Sequence, residues 1–298
     1  MDTRETTVGI IGVGNIGMGM AKNLLKAGFP LVACDVRQEP LRTLQDLGAR
    51  IASSPREVAQ ASGTVLAVVL DYAQIQAVVE GPHGVKEGVR EGDTFIICST
   101  IAPQQVQEVG QALAPLGVAV LDAPVSGGRE GAEAGTLSIM VGGEESTFQR
   151  CRRILEAVGE HIYYAGPLGS GEKIKAINQL LVGVHLVATA EAVVLGKKGG
   201  LDPQLVYEVI NQSLGYSRVF AMKAPRMIAH DFQPRGILRI FLKDLGIVAS
   251  MAEEAGSPVF LTHLSRQIFA TACTLGLGEA DDSAVVQVLE RLAGMEAG

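Results

Sequence analysis

Residues 8–35 read VGIIGVGNIGMGMAKNLLKAGFPLVACD. An apolar run, Val8 to Ile11, meets Gly12, Gly14 and Gly17 in a G-x-G-x-x-G array, and Asn15 and Ile16 open a helical pattern. Met20, Leu24 and Leu25 share one face of that helix, Gly28 ends it, and a second apolar run stops at Asp35. Strand, glycine turn, helix, strand, acid is the order that holds a dinucleotide. Gly12 permits the sharp turn, Gly14 lets the backbone approach a pyrophosphate, and Gly17 lets the helix lie close on the strand. The helix N-terminus turns its N–H groups and positive dipole end toward the phosphates. Asp35 follows Gly17 by 18 residues, where a carboxylate accepts hydrogen bonds from the adenosine ribose. Asp35 favours NAD, because it repels a 2′-phosphate; Arg37, two residues on, leaves NADP open.

Outward from this stretch, strands and helices alternate. Strands are expected over 50–52, 64–70, 94–98, 119–123, 137–141 and 161–164, with helices over 40–47, 73–80 and 103–113 among them. The run 64–70 is continuously apolar, as a strand covered on both faces requires. The alternation predicts a doubly wound, mainly parallel sheet. At Gly166 the pattern changes. One long helix is expected over 173–198, and every later segment has helical period. The chain of 298 residues therefore divides into an α/β nucleotide-binding domain, 1–165, and an all-helical domain, 166–298, for substrate and dimerisation.

Composition narrows the partners. The net charge of −7 comes without any basic cluster, which excludes nucleic acid as a partner. Four scattered cysteines, Cys34, Cys98, Cys151 and Cys273, suggest buried thiols in a reducing compartment. The five histidines have no metal-ligand spacing. The start, MDTRETTVGI, does not read as a signal peptide. The apolar stretch 180–195 carries His185 and Glu191, so it reads as a buried helix and not a membrane span. The expectation is a cytoplasmic protein with no membrane partner. The long helix is apolar on more sides than a monomer surface would tolerate, which points to packing against a second subunit.

Three further segments carry chemistry. DAPVSGG, 122–128, ends a strand and sets Ser126, Gly127 and Gly128 in a small loop, whose N–H groups and hydroxyl suit a substrate carboxylate. GSGEKIKAINQ, 169–179, opens the long helix and spaces Lys175, Asn178 and Gln179 on one face. A lysine and an amide at a domain junction meet the needs of alcohol–ketone interconversion, the lysine moving a proton while hydride passes to a nicotinamide. FLKDLGIV, 241–248, sets Lys243 and Asp244 inside an apolar helix pattern, which alone reads as a surface ion pair. Leu70, Asp71, Ser99 and Thr100 close two strands at the edge where such sheets bind ligands.

GVGNIGMGMAKNL, DAPVSGG, GSGEKIK and LKDL together resemble, in order and spacing and over nearly the whole chain, the β-hydroxyacid dehydrogenase family. That family includes 3-hydroxyisobutyrate and L-threonate dehydrogenases and tartronate semialdehyde reductases. The resemblance implies a Rossmann domain, an all-helical second domain, a small hydroxy-acid substrate, and homodimers or homotetramers. It implies Lys175 as the proton-transfer residue and Ser126, Gly127 and Gly128 as the carboxylate loop. It also implies Asn178, with Gln179, as substrate ligands, and Lys243 beside substrate and cofactor. Two positions depart from the family pattern: Asp71 follows Leu70 where many members have proline, and Gln179 stands where Asn is frequent. Imine reduction on the same fold, and a nucleotide-binding scaffold without chemistry, are the alternatives. The presence of Lys175 argues against the first, and the intact set Ser126, Lys175, Asn178 and Lys243 against the second.

Overall fold

The computed structural model describes residues 3–295. They form two compact units that divide between Lys175 and Ala176.

In the first unit a short helix, α1 (Thr3–Thr6), precedes β1 (Val8–Ile11), α2 (Asn15–Lys26), β2 (Leu31–Cys34), α3 (Gln38–Asp46), β3 (Arg50–Ile51), α4 (Pro55–Ala61) and β4 (Thr64–Ala67). The chain continues through α5 (Tyr72–Glu80), β5 (Thr94–Ile97), α6 (Pro103–Leu113), β6 (Ala119–Asp122), β7 (Val125–Ser126), α7 (Gly128–Ala134), β8 (Leu137–Gly142), α8 (Glu145–Glu156) and β9 (Gly159–Gly166). The sheet runs β3-β2-β1-β4-β5-β6-β8-β7, with β9 on β8. From β3 to β6 all pairs are parallel; β8 is antiparallel to β6 and β7, and parallel to β9. The doubly wound sheet is therefore present, with an antiparallel turn-back after β6. Its inner strands β1, β2, β4 and β5 bury both faces, which is why those runs read as largely apolar. Ile10, Leu66, Ile96 and Leu121 pack with Met20 and Leu24 of α2 on one side. Ile11, Val65, Phe95 and Ile97 pack with Val106 and Val109 of α6 on the other.

The strand expected over 64–70 ends at Ala67. Beyond it the apolar residues serve the loop: Val69 donates its N–H to Ser99 Oγ at 2.9 Å, and Leu70 donates to Gln74 Oε1 at 2.9 Å. The division between units falls at Lys175, later than the change of pattern at Gly166. Asp122, at the end of β6, accepts N–H bonds from Gly169 at 2.7 Å and Glu172 at 2.8 Å. Those bonds tie the first turn of the long helix, α9 (Ser170–Lys198), to the sheet.

The second unit holds the rest of α9 with α10 (Pro203–Asn211), α11 (Arg218–Ala229), α12 (Arg239–Ala255), α13 (Phe260–Thr274) and α14 (Val286–Leu292). By length and composition α9 is able to cross a membrane, and 44% of its most apolar window is buried inside the structure. Leu186, Ala190, Val193 and Val194 place it in the core with Phe220, Met227, Phe241, Leu245 and Phe269. Gly183 lies directly against Leu245 of α12, so the two helices approach closely. The loop leading into α12 is fixed by Asp281, whose carboxylate takes bonds from Arg226 at 3.0 Å and from the Arg235 and Gly236 N–H groups. Burial alone would raise its carboxyl, but the charge of Lys223, the Ser283 hydroxyl and the N–H groups of Arg235 and Ser283 outweigh it and hold it below the usual carboxylate range.

Candidate functional site

Because β1, β4, β5 and β6 are parallel, the segments after them gather at one edge of the sheet. The chain reverses its direction of winding between β1 and β4, the place where open sheets of this kind bind ligands. The glycine turn lies there. Gly12 has φ +88° and stands against the Val68 carbonyl at the end of β4. Helix α2 starts after Gly14 with no side chain capping it, so its N-terminus is available to an anion.

Asp35 reaches this turn from the end of β2. Its Oδ2 accepts the Val13 N–H at 2.7 Å, and its Oδ1 accepts the Arg37 N–H at 2.8 Å. The Arg37 side chain folds back onto both oxygens, at 3.1 and 3.2 Å. Burial pushes the Asp35 carboxyl up, but the bonds from Arg37 and Val13 prevail and keep it below the usual range. Arg37 is 60% exposed, so its guanidinium turns away or over a ligand at little cost.

The Ser126–Gly128 turn lies at the same end. A Cβ on Gly19 of α2 would stand 2.5 Å from Ala132 of α7, and Asn23 donates to the Ala132 carbonyl at 2.7 Å and lies against Gly135. Contacts that advance together along both helices mean the helices are parallel, so their starts, Asn15 and Gly128, face the same way. Gly127 and Gly128 have φ of +138° and +65°. Both values are strained for any residue with a side chain, which accounts for the glycine pair.

Lys175 is buried, on a helix whose beginning is anchored to this edge. Besides Asp122, which burial pushes up despite its N–H partners, Glu172 holds that turn: its Oε1 accepts the Ile101 N–H at 3.2 Å, from the loop after β5 that also carries Ser99 and Thr100. Lys173, two residues before Lys175, is exposed. The Asp71 carboxylate acts locally, capping α5 by accepting the Gln74 N–H at 3.0 Å.

In the second unit Asn178, Gln179, Lys243 and Asp244 form one connected group. Asn178 Nδ2 donates to Gln179 Oε1 at 2.9 Å, and Gln179 Nε2 donates to Asp244 Oδ2 at 2.6 Å. The Lys243 ammonium lies 2.7 Å from Asp244 Oδ1. Lys243 thus has the carboxylate partner its sequence position suggested, but Asp244 is only 2% exposed, so the pair is not a surface one. Sequence reasoning gave no part in the site to Asp122, Glu172 or Asp244. The available signal was an acid at a buried position of an apolar run, since carboxylates are seldom fully buried without a partner.

Comparison with known proteins bears on the same features. Residues 7–166 match the family model of the NAD binding domain of 6-phosphogluconate dehydrogenase. Residues 169–289 match that of the NAD-binding region of NADP-dependent 3-hydroxyisobutyrate dehydrogenase. L-threonate dehydrogenase of Cupriavidus necator is 38% identical over 282 residues, 94% of this chain and 95% of that protein. 2-(Hydroxymethyl)glutarate dehydrogenase of Eubacterium barkeri is 35% identical over 293 residues, 98% of this chain and 97% of that protein. The crystal structure of a 3-hydroxyisobutyrate dehydrogenase from Salmonella typhimurium superposes with a TM-score of 0.90 at 35% identity, over 95% of this chain and all of that one.

Proposed function

Because the chain belongs to the β-hydroxyacid dehydrogenase family, we propose that it interconverts a small hydroxy carboxylate and its oxo form, with NAD preferred and Lys175 moving the proton. It is an NAD(P)-dependent oxidoreductase acting on a CH–OH group. With its pyrophosphate held at the glycine turn, a bound dinucleotide would supply the hydride acceptor for the alcohol, or the hydride donor for the oxo acid. The chain's own residues do the remainder. Lys175 takes the hydroxyl proton as the C–O bond gains double-bond character, and gives it back in reduction. Ser126 and the N–H groups of Gly127 and Gly128 hold the carboxylate. Asn178 holds the hydroxyl. Gly14 and the start of α2 hold the pyrophosphate, while Asp35 holds the ribose.

The observation that carries this reading is a lysine 7% exposed, on a helix whose first turn is fixed by Asp122 and Glu172 to the loops around the glycine turn. A lysine is seldom buried unless a partner or a task holds it there. The relatives act on threonate and 2-(hydroxymethyl)glutarate by name, and the group their substrates share is a hydroxy acid. An assay of nicotinamide reduction across three- and four-carbon hydroxy acids, each with NAD and NADP, tests the reading. At least one acid is expected to turn over, with kcat/KM for NAD about tenfold above that for NADP, the scale of one charged hydrogen bond. Arg37→Ala is expected to widen that gap by removing the cation nearest Asp35. Hydride transfer with none of the acids, or a preference for NADP, would overturn it.

The family reading extends to assembly. Ile177, Leu181 and Leu195 leave α9 with an exposed apolar row, 54%, 50% and 74% accessible. We assign that row to contact with another copy of the chain in a homodimer or homotetramer. Sedimentation is expected to give a multiple of 31.3 kDa, and a strict monomer would remove the assignment.

A further inference from the structure

A carboxylate only accepts hydrogen bonds, whereas an amide accepts at one end and donates at the other. This difference gives the group on α9 and α12 a direction. Asp244 is buried, and its Oδ1 is engaged by the Lys243 ammonium at 2.7 Å. Its Oδ2 therefore requires a donor, and Gln179, 2.6 Å away and 7% exposed, must present its NH2. Gln179 then has only its Oε1 to offer Asn178, which must answer with its own NH2 at 2.9 Å. The sense of both amides follows from the carboxylate, whichever way each would turn alone. The Asn178 Oδ1 is left facing away from Gln179, as an acceptor.

We propose that Asp244 is a positioning residue that sets, through Gln179, which end of the Asn178 amide meets the substrate hydroxyl. The proposal rests on the reading of Asn178 as the hydroxyl's ligand. An outward Oδ1 accepts a hydrogen bond from the O–H of the bound alcohol, which turns that proton to Lys175 for the transfer; an outward NH2 donates to the hydroxyl oxygen instead and leaves the proton unheld. Gln179 matters here because its longer arm bridges Asn178 to the acid.

Variants of the full chain test this, with steady-state kinetics for the hydroxy acid and for NAD. Asp244→Asn gives position 244 a donor as well as an acceptor and frees both amides to reverse. The hydroxy-acid KM is expected to rise about 10- to 100-fold, with the KM for NAD unchanged. Gln179→Glu alone sets two carboxyl groups against each other and is expected to be similarly impaired. Joining Asp244→Asn to Gln179→Glu moves the acceptor-only group to position 179, where it receives from both neighbours. That double variant is expected to recover to within a few-fold of wild type, a rescue that a purely structural role for Asp244 would not give. A double variant no better than Asp244→Asn, or a wild-type KM in Asp244→Asn, overturns the proposal. Should Asp244→Asn not fold, Gln179→Leu leaves the Lys243–Asp244 pair whole and only interrupts the ladder; a wild-type KM there is equally fatal. Asn178→Ala separates the two layers: if it leaves the hydroxy-acid KM unchanged, the reading of Asn178 fails, and the proposal with it.

Discussion

Replacing Lys175 with alanine is expected to lower kcat by about 10²- to 10⁴-fold, the usual worth of a positioned general acid–base group, while NAD affinity stays at the wild-type level. The separation follows from what holds the helix. Its first turn is fixed by backbone N–H groups given to Asp122 and by the bond from the Ile101 N–H to Glu172. Truncating Lys175 leaves those bonds intact, and alanine is the best helix former. The nucleotide turn lies on β1 and α2, so the variant should fold and should still titrate with NAD. Lys175→Arg distinguishes proton transfer from simple attraction of a carboxylate. Arginine keeps the positive charge but does not surrender its proton near neutrality. If the role is proton transfer, Arg is as slow as Ala; if it is charge alone, Arg restores the rate and only KM moves. A kcat in the alanine variant within about tenfold of wild type would remove Lys175 from the chemistry.

The fold was legible in residues 8–35 because periodicity and turn chemistry agree there at every step. The inner strands of the parallel sheet, β1, β2, β4 and β5, are covered on both faces, so burial writes itself into the sequence as apolar runs. The same rule misleads at 68–70, where the side chains are apolar but the N–H groups of Val69 and Leu70 go to Ser99 and Gln74. Helix α7, GREGAEA, left no periodic trace, because glycines and alanines form its packed face. Helix α4 did leave a signal: Ser54 accepts the Glu57 N–H, and Ser-x-x-Glu is a known start. Candidate site residues carried by a local motif, such as the glycine turn and the Ser126–Gly128 loop, could be read directly. Asp122 and Asp244 were harder to read: an acid within an apolar run marks each, but Gly169 and Gln179, which they hold, lie 47 and 65 residues away.

Two glycines in one motif should separate what the fold requires from what the ligand requires. At Gly17 a Cβ would stand 2.0 Å from the Gly12 carbonyl oxygen, a backbone atom with nowhere to go. Gly17→Ala must therefore push α2 off β1, and it is expected to lower stability by about 1–3 kcal/mol, the cost of overpacking, and NAD affinity with it. Gly14 is different. Its φ is −69°, open to any residue, and a Cβ there would meet only the tip of Arg37, at 3.7 Å. The folded chain gives no reason for glycine at that position, so the reason must lie in what the turn binds. Gly14→Ala is expected to melt at or slightly above the wild-type temperature, because alanine restricts the unfolded chain by about 0.4–1 kcal/mol. The same methyl fills the space a pyrophosphate needs beside the backbone, and the KM for NAD is expected to rise about 100-fold, roughly 2.7 kcal/mol of lost binding. Thermal melting and NAD titration of the two variants side by side decide the matter. Wild-type NAD affinity in Gly14→Ala would mean that the nucleotide does not approach the turn at Gly14. A destabilised or unfolded Gly14→Ala would mean that the fold itself had required the glycine.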